Sequence, residues 1–330
     1  MAADHPADGE PTKRPARVAL LSRIVAASAP AMERLRALGV DIAIDLPGHQ
    51  ALGGDVERWH KVMSDVDVLV VGLQPVDRAL LAAAPRLRYV LRIGTGLDNV
   101  DVEAAAEHGV RVEALAGLNA AAVAEYAFGL LMAAARRIPE ADASMRAGQW
   151  TRLPGRHLGG RTLGLVGYGE IGRRLVPMAR GFGMRVLVHR RSGGPFAEPG
   201  VRPVPLDELL AASDYVSLHV PLTAGTRHLI GTRELALMKP GAVLVNTARG
   251  EVVDERALAA ALDSGRLGAA ALDVFGQEPP HPGHPLLARR NVVLSPHNGG
   301  YSDLVMEETA AAAVDAIAAA LAGAAPAPPP

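Results

Sequence analysis

Residues 162–172 read TLGLVGYGEIG, and this stretch decides how the rest of the chain is interpreted. The apolar run over residues 162–166 predicts a buried strand, which leads directly into the pattern G-x-G-x-x-G at Gly167, Gly169 and Gly172. Such glycines allow a tight turn and let the backbone approach a pyrophosphate at the N-terminus of the next helix. The pattern alone is weak in a chain with 35 glycines. Its position between a strand and a helix is the context that dinucleotide binding requires.

Apolar runs and helix-like segments alternate on the C-terminal side of this motif. Runs predicted as strands cover residues 161–167, 184–189, 215–220, 242–248, 268–274 and 291–297. Charged segments with helical spacing separate them, so the alternation predicts a doubly wound parallel sheet.

The N-terminal part of the chain has the same character. Predicted strands cover residues 17–22, 40–44, 66–72 and 87–93, and they indicate a second parallel sheet within roughly residues 17–113. An Ala- and Leu-rich helix follows at residues 119–137, and we expect Pro139 to end it. The fold class is therefore α/β, with two Rossmann- or flavodoxin-like domains. Glu125 in this helix is interpreted either as an exposed position or as a contact between two copies.

Composition excludes several kinds of chemistry. The chain has 330 residues, and at about 150 residues per domain this length predicts two domains. Its 34 Lys and Arg residues balance 35 Asp and Glu residues, which argues against a nucleic-acid partner. Cysteine is absent, so disulfides, thiolate metal sites and a cysteine nucleophile are excluded.

The two termini are predicted to be disordered, at residues 1–16 and 323–330. The first segment lacks the apolar core of a secretory signal, and the second is a Pro- and Ala-rich tail. No stretch reaches the roughly 20 apolar residues needed to span a bilayer. The expectation is a soluble cytoplasmic protein without a membrane partner.

The end of the second strand after the glycine motif indicates which dinucleotide binds. An NAD site usually has Asp or Glu about 20 residues after the motif, to bind the ribose hydroxyls. The chain has His189, Arg190, Arg191 and Ser192 there instead. Guanidinium groups suit a 2′-phosphate, which favours NADP(H), with NAD(H) as the alternative. Solvated surface arginines are the other interpretation.

Three polar residues follow the ends of later predicted strands: Arg249, Glu278 and His297. Open α/β sheets keep their active sites at this edge. Each residue alone could be a loop or capping residue, but together they combine a cation, a carboxylate and an acid–base group. His281 and His284 lie in a Pro-rich loop and are interpreted as structural or solvated, so no metal site is predicted.

Together these stretches resemble the D-isomer-specific 2-hydroxyacid dehydrogenase family, which includes glyoxylate and hydroxypyruvate reductases and phosphoglycerate dehydrogenases. The matching segments are RIGTGLDNVD, AVAEYAFGLLMAAARR, TLGLVGYGEIG, HVPLTAGTRHLI, LMKPGAVLVNTARG, ALDVFGQEP and LSPHNGG. The resemblance covers residues 17–322, with 29 residues from Arg249 to Glu278 and 19 from there to His297.

The resemblance implies a role for each candidate residue. Arg249 would bind the carboxylate of a 2-keto acid, His297 would be the acid–base group, and Glu278 its partner. Residues implied to contact the substrate are Arg92, Gly94, Thr95, Gly96 and Arg249. Residues implied to contact the cofactor are Gly167, Gly169, Glu170, Ile171, Gly172, Arg190, Arg191, Ser192, Val220, Pro221, Thr226, Thr247, Ala248, Asp273 and Gly299.

The resemblance also implies an organisation for the chain. Residues 17–117 and 299–322 would form the substrate domain, with the dinucleotide-binding domain, residues 118–298, inserted between them. A homodimer formed through the helix at residues 119–137 is the family expectation.

Three functions remain open on the sequence alone. NADP(H) use favours a glyoxylate- or hydroxypyruvate-type reductase acting on a small 2-keto or D-2-hydroxy acid. Arg92 is placed like a phosphate-binding arginine of phosphoglycerate dehydrogenases, although it could equally be structural. A dinucleotide-sensing protein related to the corepressors of this fold is the alternative outside enzymes.

Overall fold

The structure, a computed structural model, describes residues 14–44, 62–191 and 198–323. The chain forms two compact units. One comprises the described residues up to Leu118 and those from Met306 onward, and the other is Asn119–Val305. Each unit is built on a parallel sheet, as the alternation of strands and helices predicts.

The sheet of the first unit has five parallel strands among the described residues, in the order β2-β1-β3-β4-β5. They are β1 Arg17–Leu20, β2 Asp41–Ile44, β3 Val68–Val71, β4 Tyr89–Arg92 and β5 Arg111–Ala114. The connecting helices are α1 Arg23–Ala27, α2 Ala29–Ala37, α3 Arg78–Ala83 and α4 Val102–Glu107. Leu69 and Val71 pack into one core cluster, and Val68 and Val70 into another. Strand β3 is continuously apolar because both faces of the sheet are covered.

The second unit contains a larger parallel sheet, whose described strands run in the order β12-β11-β10-β9-β6-β7-β8. The strands are β6 Thr162–Val166, β7 Arg185–His189, β8 Val201–Pro203, β9 Tyr215–Leu218, β10 Ala242–Asn246, β11 Leu267–Leu272 and β12 Val292–Leu294. The helices are α5 Ala120–Arg136, α6 Ile138–Arg146, α7 Glu170–Gly181, α8 Leu206–Ala212, α9 Thr232–Leu237 and α10 Glu255–Asp263. The chain order reverses between β6 and β9, which is where such sheets bind ligands at their carboxyl edge.

Alternate residues of β10 again face two different cores. Val243 and Val245 belong to the cluster that contains Phe128 and Leu131 of α5, whereas Leu244 faces the opposite cluster. Burial on both faces makes the sheet a rigid support for the loops that leave its carboxyl edge.

The last helix, α11 Asp303–Leu321, returns to the first sheet. Ala313 and Ile317 are fully buried in the same cluster as Val68. The Ser302 hydroxyl accepts a hydrogen bond from the Val305 N–H at 3.3 Å, so Ser302 is the N-cap of α11. Burial of α11 explains why the first unit contains both ends of the described chain.

Three elements differ from the sequence-based expectation. Strand β5 is missing from the predicted strands because this edge strand alternates charged Arg111 and Glu113 with small apolar residues and is only half-buried. Strand β8 is also missing, because it is a short edge strand that ends at Pro203. The expectation that Pro139 ends a helix is wrong. Arg137, with φ of 53°, separates α5 from α6, and Pro139 lies in the first turn of α6, where its missing N–H costs nothing.

The helices of the described residues include none that combines the length and apolar character needed to cross a bilayer.

Candidate active site

The glycine turn follows β6 and opens α7. Gly167 has φ of 98°, and a Cβ there would lie 2.4 Å from the His219 carbonyl oxygen. A Cβ on Gly172 would lie 2.9 Å from the Gly167 carbonyl oxygen. Gly169, the N-cap of α7, faces open space. The first and third glycines therefore permit close packing, and the second exposes backbone at a helix N-terminus, which fits a dinucleotide pyrophosphate.

The loop that leaves β7 begins with the predicted arginines. Arg190 is partly buried and Arg191 is exposed, directly after His189 at the end of the strand. Ser192 lies outside the described residues. The positive side chains thus start at the carboxyl edge of the strand next to β6, where the adenosine end of a dinucleotide lies in this fold.

Tyr168 joins the glycine turn to the chain beyond this loop, a contact that sequence reasoning missed. Its hydroxyl donates a hydrogen bond to Glu198, and the Arg173 guanidinium lies 5.8 Å from its ring centre. Burial and the neighbouring carboxylate raise the pKa of the Tyr168 hydroxyl, so it stays a donor at neutral pH. No local sequence signal pairs Tyr168 with a glutamate 30 residues later.

Two buried polar atoms at the ends of β9 and β10 have no hydrogen-bond partner within the described part of the chain: His219 Nδ1 and Thr247 Oγ1. His219 Nε2 lies 2.8 Å from the Ser217 hydroxyl, and burial lowers the pKa of His219 to about 3. Orphaned buried polar atoms are uncommon in proteins, since each one costs free energy. His219 lies beside the glycine turn and Thr247 at the end of β10, and their orphaned atoms fit a site that is completed by a bound cofactor.

Arg249 lies in a turn that the side chain of Asn246 fixes. The Asn246 side-chain amide donates to the Arg249 carbonyl at 2.8 Å and accepts from the Ala248 N–H at 3.0 Å. The Arg249 guanidinium donates to the Ala248 carbonyl at 2.8 Å. The guanidinium of a half-buried arginine is thereby held at the end of β10.

His297 and Glu278, which are 19 residues apart, meet in the structure. Nδ1 of His297 lies 2.7 Å from Oε2 of Glu278, while Oε1 of Glu278 accepts the Phe275 N–H at 3.0 Å. The two side chains are 26% and 27% exposed, so the pair is accessible from solvent. His297 has φ of 56°, a left-handed conformation that is uncommon outside glycine and is associated with functional sites.

Asp273 supports the turn that carries His297. Its carbonyl accepts the His297 N–H, and its carboxylate accepts the N–H groups of Asn298 and Gly299, each at 2.8 Å. Asp273 is 1% exposed. This carboxylate was predicted only as a cofactor contact. The anchoring role was missed because the two segments are 25 residues apart.

The remaining residues predicted to contact the cofactor border these turns. The hydroxyl of Thr226 donates to the Pro221 carbonyl at 2.6 Å and shapes the loop after β9. Half-buried Val220 follows His219, and half-buried Ala248 precedes Arg249. Glu170 and Ile171 begin α7, where Glu170 lies 3.6 Å from Arg173.

In the first unit, the predicted substrate loop follows β4. Arg92 is 5% exposed, and its guanidinium donates to the Ile93 carbonyl. A Cβ on Gly94, which has φ of 115°, would overlap that guanidinium at 1.9 Å. The Thr95 hydroxyl accepts the Gly117 N–H at 3.3 Å, and Gly96 is half-buried beside it. Arg92 thus lies beneath the glycine loop that it supports.

Of the two histidines in the Pro-rich loop, His284 is paired and His281 is exposed. His284 Nε2 lies 3.1 Å from Oε2 of Glu255, and His281 Nδ1 accepts the Gly283 N–H at 3.0 Å. In the described ranges, no group of three or more His, Asp or Glu side chains is arranged to hold a metal ion.

Comparison with known proteins agrees with this geometry. The family model described as "D-isomer specific 2-hydroxyacid dehydrogenase, NAD binding domain" matches residues 128–299. That range contains the glycine turn, Arg249, Glu278 and His297.

Named relatives and a solved structure are similar over most of the chain. The glyoxylate reductase of Korarchaeum cryptofilum is 48% identical over 245 residues, covering 71% of this chain and 74% of the relative. The hydroxypyruvate reductase of Thermotoga maritima is 43% identical over 244 residues, covering 72% and 79%. The crystal structure of the TT0316 protein from Thermus thermophilus superposes with a TM-score of 0.85 at 37% identity, covering 94% of this chain and 98% of that one.

Proposed function

The chain belongs to the D-isomer specific 2-hydroxyacid dehydrogenase family, and on that premise we propose that it reduces glyoxylate or hydroxypyruvate with NADPH. Membership makes it an NAD(P)-dependent oxidoreductase that acts on small keto or hydroxy acids. The choice of keto acid and the preference for the phosphorylated cofactor are the finer parts of the proposal.

The hydrogen-bonded pair of His297 and Glu278 is the observation that carries the proposal. Because Glu278 engages Nδ1, the imidazole presents Nε2 to a substrate. Reduction of the carbonyl needs a proton for the oxygen at C2, and Glu278 fixes the orientation of the imidazole that is proposed to give it. His297 then gives its proton to the oxygen at C2 as the alkoxide develops. Positioned proton transfer of this kind contributes about 10²–10⁴-fold to a rate.

Arg249 is proposed to bind the carboxylate of the keto acid. A guanidinium forms two parallel hydrogen bonds with a carboxylate, which orients the neighbouring carbonyl as well as binding it. The Asn246 side chain hydrogen-bonds the backbone of Arg249, so the guanidinium extends from a fixed position at the end of β10. When bound, the nicotinamide supplies the hydride that C2 accepts.

The cofactor preference rests on Arg190 and Arg191. They stand where NAD-binding sites usually carry a carboxylate, and a guanidinium pairs well with the 2′-phosphate of NADP(H). Ser192 is proposed to join them. Residues proposed to hold the rest of the dinucleotide are Gly167, Gly169, Glu170, Ile171, Gly172, Val220, Pro221, Thr226, Thr247, Ala248, Asp273 and Gly299.

The position of Arg92 supports an unphosphorylated substrate. The buried guanidinium of Arg92 donates to the Ile93 carbonyl and packs against Gly94, so it stabilises the loop. This arrangement favours the structural interpretation over binding of a substrate phosphate. Gly94, Thr95 and Gly96 are proposed to offer backbone N–H groups to the carboxylate of the keto acid.

We also propose roles for the two units and for α5. The first unit is proposed to bind substrate and the second to bind dinucleotide. The chain is proposed to form a homodimer through α5, where Glu125 is exposed and available for such a contact. Light scattering during size-exclusion chromatography tests this part, and a monomer at micromolar concentration would contradict it.

A panel of keto acids assayed with both cofactors tests the function. Purified wild-type chain is given glyoxylate, hydroxypyruvate, pyruvate or 3-phosphohydroxypyruvate, each with NADPH and with NADH. We expect the highest kcat/KM with NADPH and glyoxylate or hydroxypyruvate. A preference for 3-phosphohydroxypyruvate would identify the phosphoglycerate dehydrogenase alternative. Dinucleotide binding without any turnover would favour the sensing protein.

A further inference from the structure

Two residues with no part in the proposed chemistry stabilise the loop between β11 and β12: His284, which lies within the loop, and Glu255, which lies outside it. Glu255 is the first residue of α10, and His284 precedes the 3₁₀ turn Pro285–Ala288. Nε2 of His284 lies 3.1 Å from Oε2 of Glu255, and the side chains are only 18% and 22% exposed. Such a pair is better placed than a surface ion pair to hold a geometry.

The hydrogen bonds of His284 indicate which ring nitrogen donates and which accepts. Its Nδ1 accepts the Leu286 N–H at 3.4 Å, so the ring proton is on Nε2 and is donated to Glu255. A neutral imidazole satisfies both contacts at once, with one nitrogen as acceptor and the other as donor. The ring therefore bridges Glu255 and the start of the 3₁₀ turn.

The same two residues hold the peptide between Phe275 and Gly276. Oε1 of Glu255 accepts the Gly276 N–H at 2.9 Å. The His284 ring meets the Phe275 ring edge to face, with the ring centres 5.9 Å apart and the planes at 82°. One polar and one aromatic contact thus fix this peptide from the side of α10.

This peptide adjoins both candidate catalytic groups of the second unit. The Phe275 N–H donates to Oε1 of Glu278, whose other oxygen faces His297. A Cβ on Gly250, the residue after Arg249, would lie 1.9 Å from the Phe275 carbonyl carbon. The turn that carries Arg249 therefore rests directly on the Phe275–Gly276 peptide, which follows the Val274–Phe275 peptide whose N–H orients Glu278.

We propose that Glu255 and His284 are positioning residues for the reaction. They set the orientation of Glu278 toward His297 and the position of the turn that carries Arg249. The inference rests on the proposed function. Neither residue contacts the reacting atoms in this scheme. Their effect passes through the Phe275–Gly276 peptide, and their loss should lower kcat more than it weakens cofactor binding.

The test compares three variants at Glu255 and His284 with one control variant. Glu255→Ala removes the acceptor of Gly276, and His284→Ala removes the donor to Glu255. His284→Gln keeps a side-chain amide N–H near the position of Nε2. His281→Ala is the matched control, because His281 lies in the same loop and hydrogen-bonds Gly283 instead. Each variant is assayed for kcat and KM with hydroxypyruvate, for NADPH affinity by fluorescence, and for Tm.

A displacement of catalytic groups by about 1 Å can cost up to about 10²-fold in rate, so we expect about tenfold lower kcat in Glu255→Ala and His284→Ala. NADPH affinity should stay within about twofold of wild type, because the glycine turn is not part of this network. His284→Gln should recover most of the lost kcat, and His281→Ala should match wild type. Glu255→Gln, which keeps an oxygen for Gly276, replaces Glu255→Ala if the latter does not fold.

Two kinds of failure are kept apart. Suppose that wild type turns over, and that both His284→Ala and the Glu255 variant (Ala, or Gln where Ala does not fold) keep wild-type kcat with only a lower Tm. The positioning role is then wrong and the proposed function stands. If wild type reduces no 2-keto acid, the proposed function is wrong. Hydrogen exchange over residues 273–278 then decides the physical claim. Faster exchange in both alanine variants than in His281→Ala supports stabilisation of the Phe275–Gly276 peptide by Glu255 and His284. Equal exchange contradicts it.

Discussion

Two loops at the carboxyl edge of the same sheet are built in opposite ways. In the β11–β12 loop, the Phe275 N–H donates a hydrogen bond to Glu278, and the Asp273 carbonyl accepts the His297 N–H, so that Glu278 and His297 are held 2.7 Å apart. The chain that leaves β7 begins with the half-buried Arg190 and the exposed Arg191. The first loop fixes the positions of the Glu278 and His297 side chains, and the second supplies the positive charge of two arginines. Charge near solvent is screened by salt, whereas a short hydrogen bond within a partly buried pair is not, so variants in the two loops should behave differently.

The largest effect is expected at His297. His297→Gln removes the proton donor but keeps a side chain of similar reach, so kcat should fall at least about 10²-fold. NADPH affinity should be close to that of wild type, and the loss should be the same at low and high salt. Near-normal kcat in this variant would remove His297 from the mechanism.

The next largest effect is expected at Arg249. Arg249→Lys keeps the positive charge but loses the planar fork, so kcat/KM for glyoxylate or hydroxypyruvate should fall by about 10- to 100-fold. NADPH affinity serves as the internal control, since the carboxylate contact does not involve the dinucleotide. An unchanged kcat/KM would show that charge alone suffices at this position.

His219, at the end of β9, extends the comparison to stability, because its Nδ1 is buried whereas Arg191 is exposed. Burial lowers its pKa in the folded chain to about 3, below the ordinary value of about 6.5. The neutral ring is therefore favoured by folding, and this contribution is complete above about pH 6.5 and is lost as the pH falls toward 3. Between about pH 7.5 and 5, the free energy of unfolding should fall by about 1–2 kcal/mol more in wild type than in His219→Gln. Denaturant unfolding at both pH values measures this difference, and equal decreases would contradict the burial of a neutral ring.

The smallest effect is expected at Arg190. Arg190→Asp should shift the ratio of kcat/KM for NADPH over NADH toward NADH by about tenfold, because it repels a phosphate and offers acceptors to ribose hydroxyls. The wild-type ratio should decrease as salt is added. Arg202→Asp is the control for net charge, since the Arg202 guanidinium pairs with Glu208 at 2.7 Å. A wild-type preference for NADH, or a ratio that Arg190→Asp leaves unchanged, would make these arginines a solvated surface.

Local patterns predicted much of the fold and the candidate pair. The glycine turn, the buried strands and α5 follow from apolar runs and turn residues that are neighbours in sequence. The contact between His297 and Glu278 was implied by the family resemblance, and in the structure the two residues follow strands that are neighbours in the sheet. The same reasoning missed β5, whose residues alternate in charge on a sheet edge. It also misassigned Pro139, because proline is compatible with the start of a helix as well as with its end.

The contacts that support the site could not be found in this way. Asp273 with Asn298, Tyr168 with Glu198, and Glu255 with His284 each join segments that are 25 to 30 residues apart. Such pairs depend on the geometry of loops after the strands, which no periodicity encodes. The sequence therefore indicated candidate residues for the chemistry, and the structure added the contacts that hold these candidates in position.

The most direct test of the central claim is the product that wild-type chain forms from hydroxypyruvate and NADPH. Chiral chromatography of the product, with NADPH oxidation followed by absorbance, gives both its configuration and its stoichiometry. We expect D-glycerate in equal amount to the NADPH oxidised. L-glycerate, or no glycerate despite NADPH binding, would contradict the claim that His297, Glu278 and Arg249 form the active site of a D-specific keto-acid reductase.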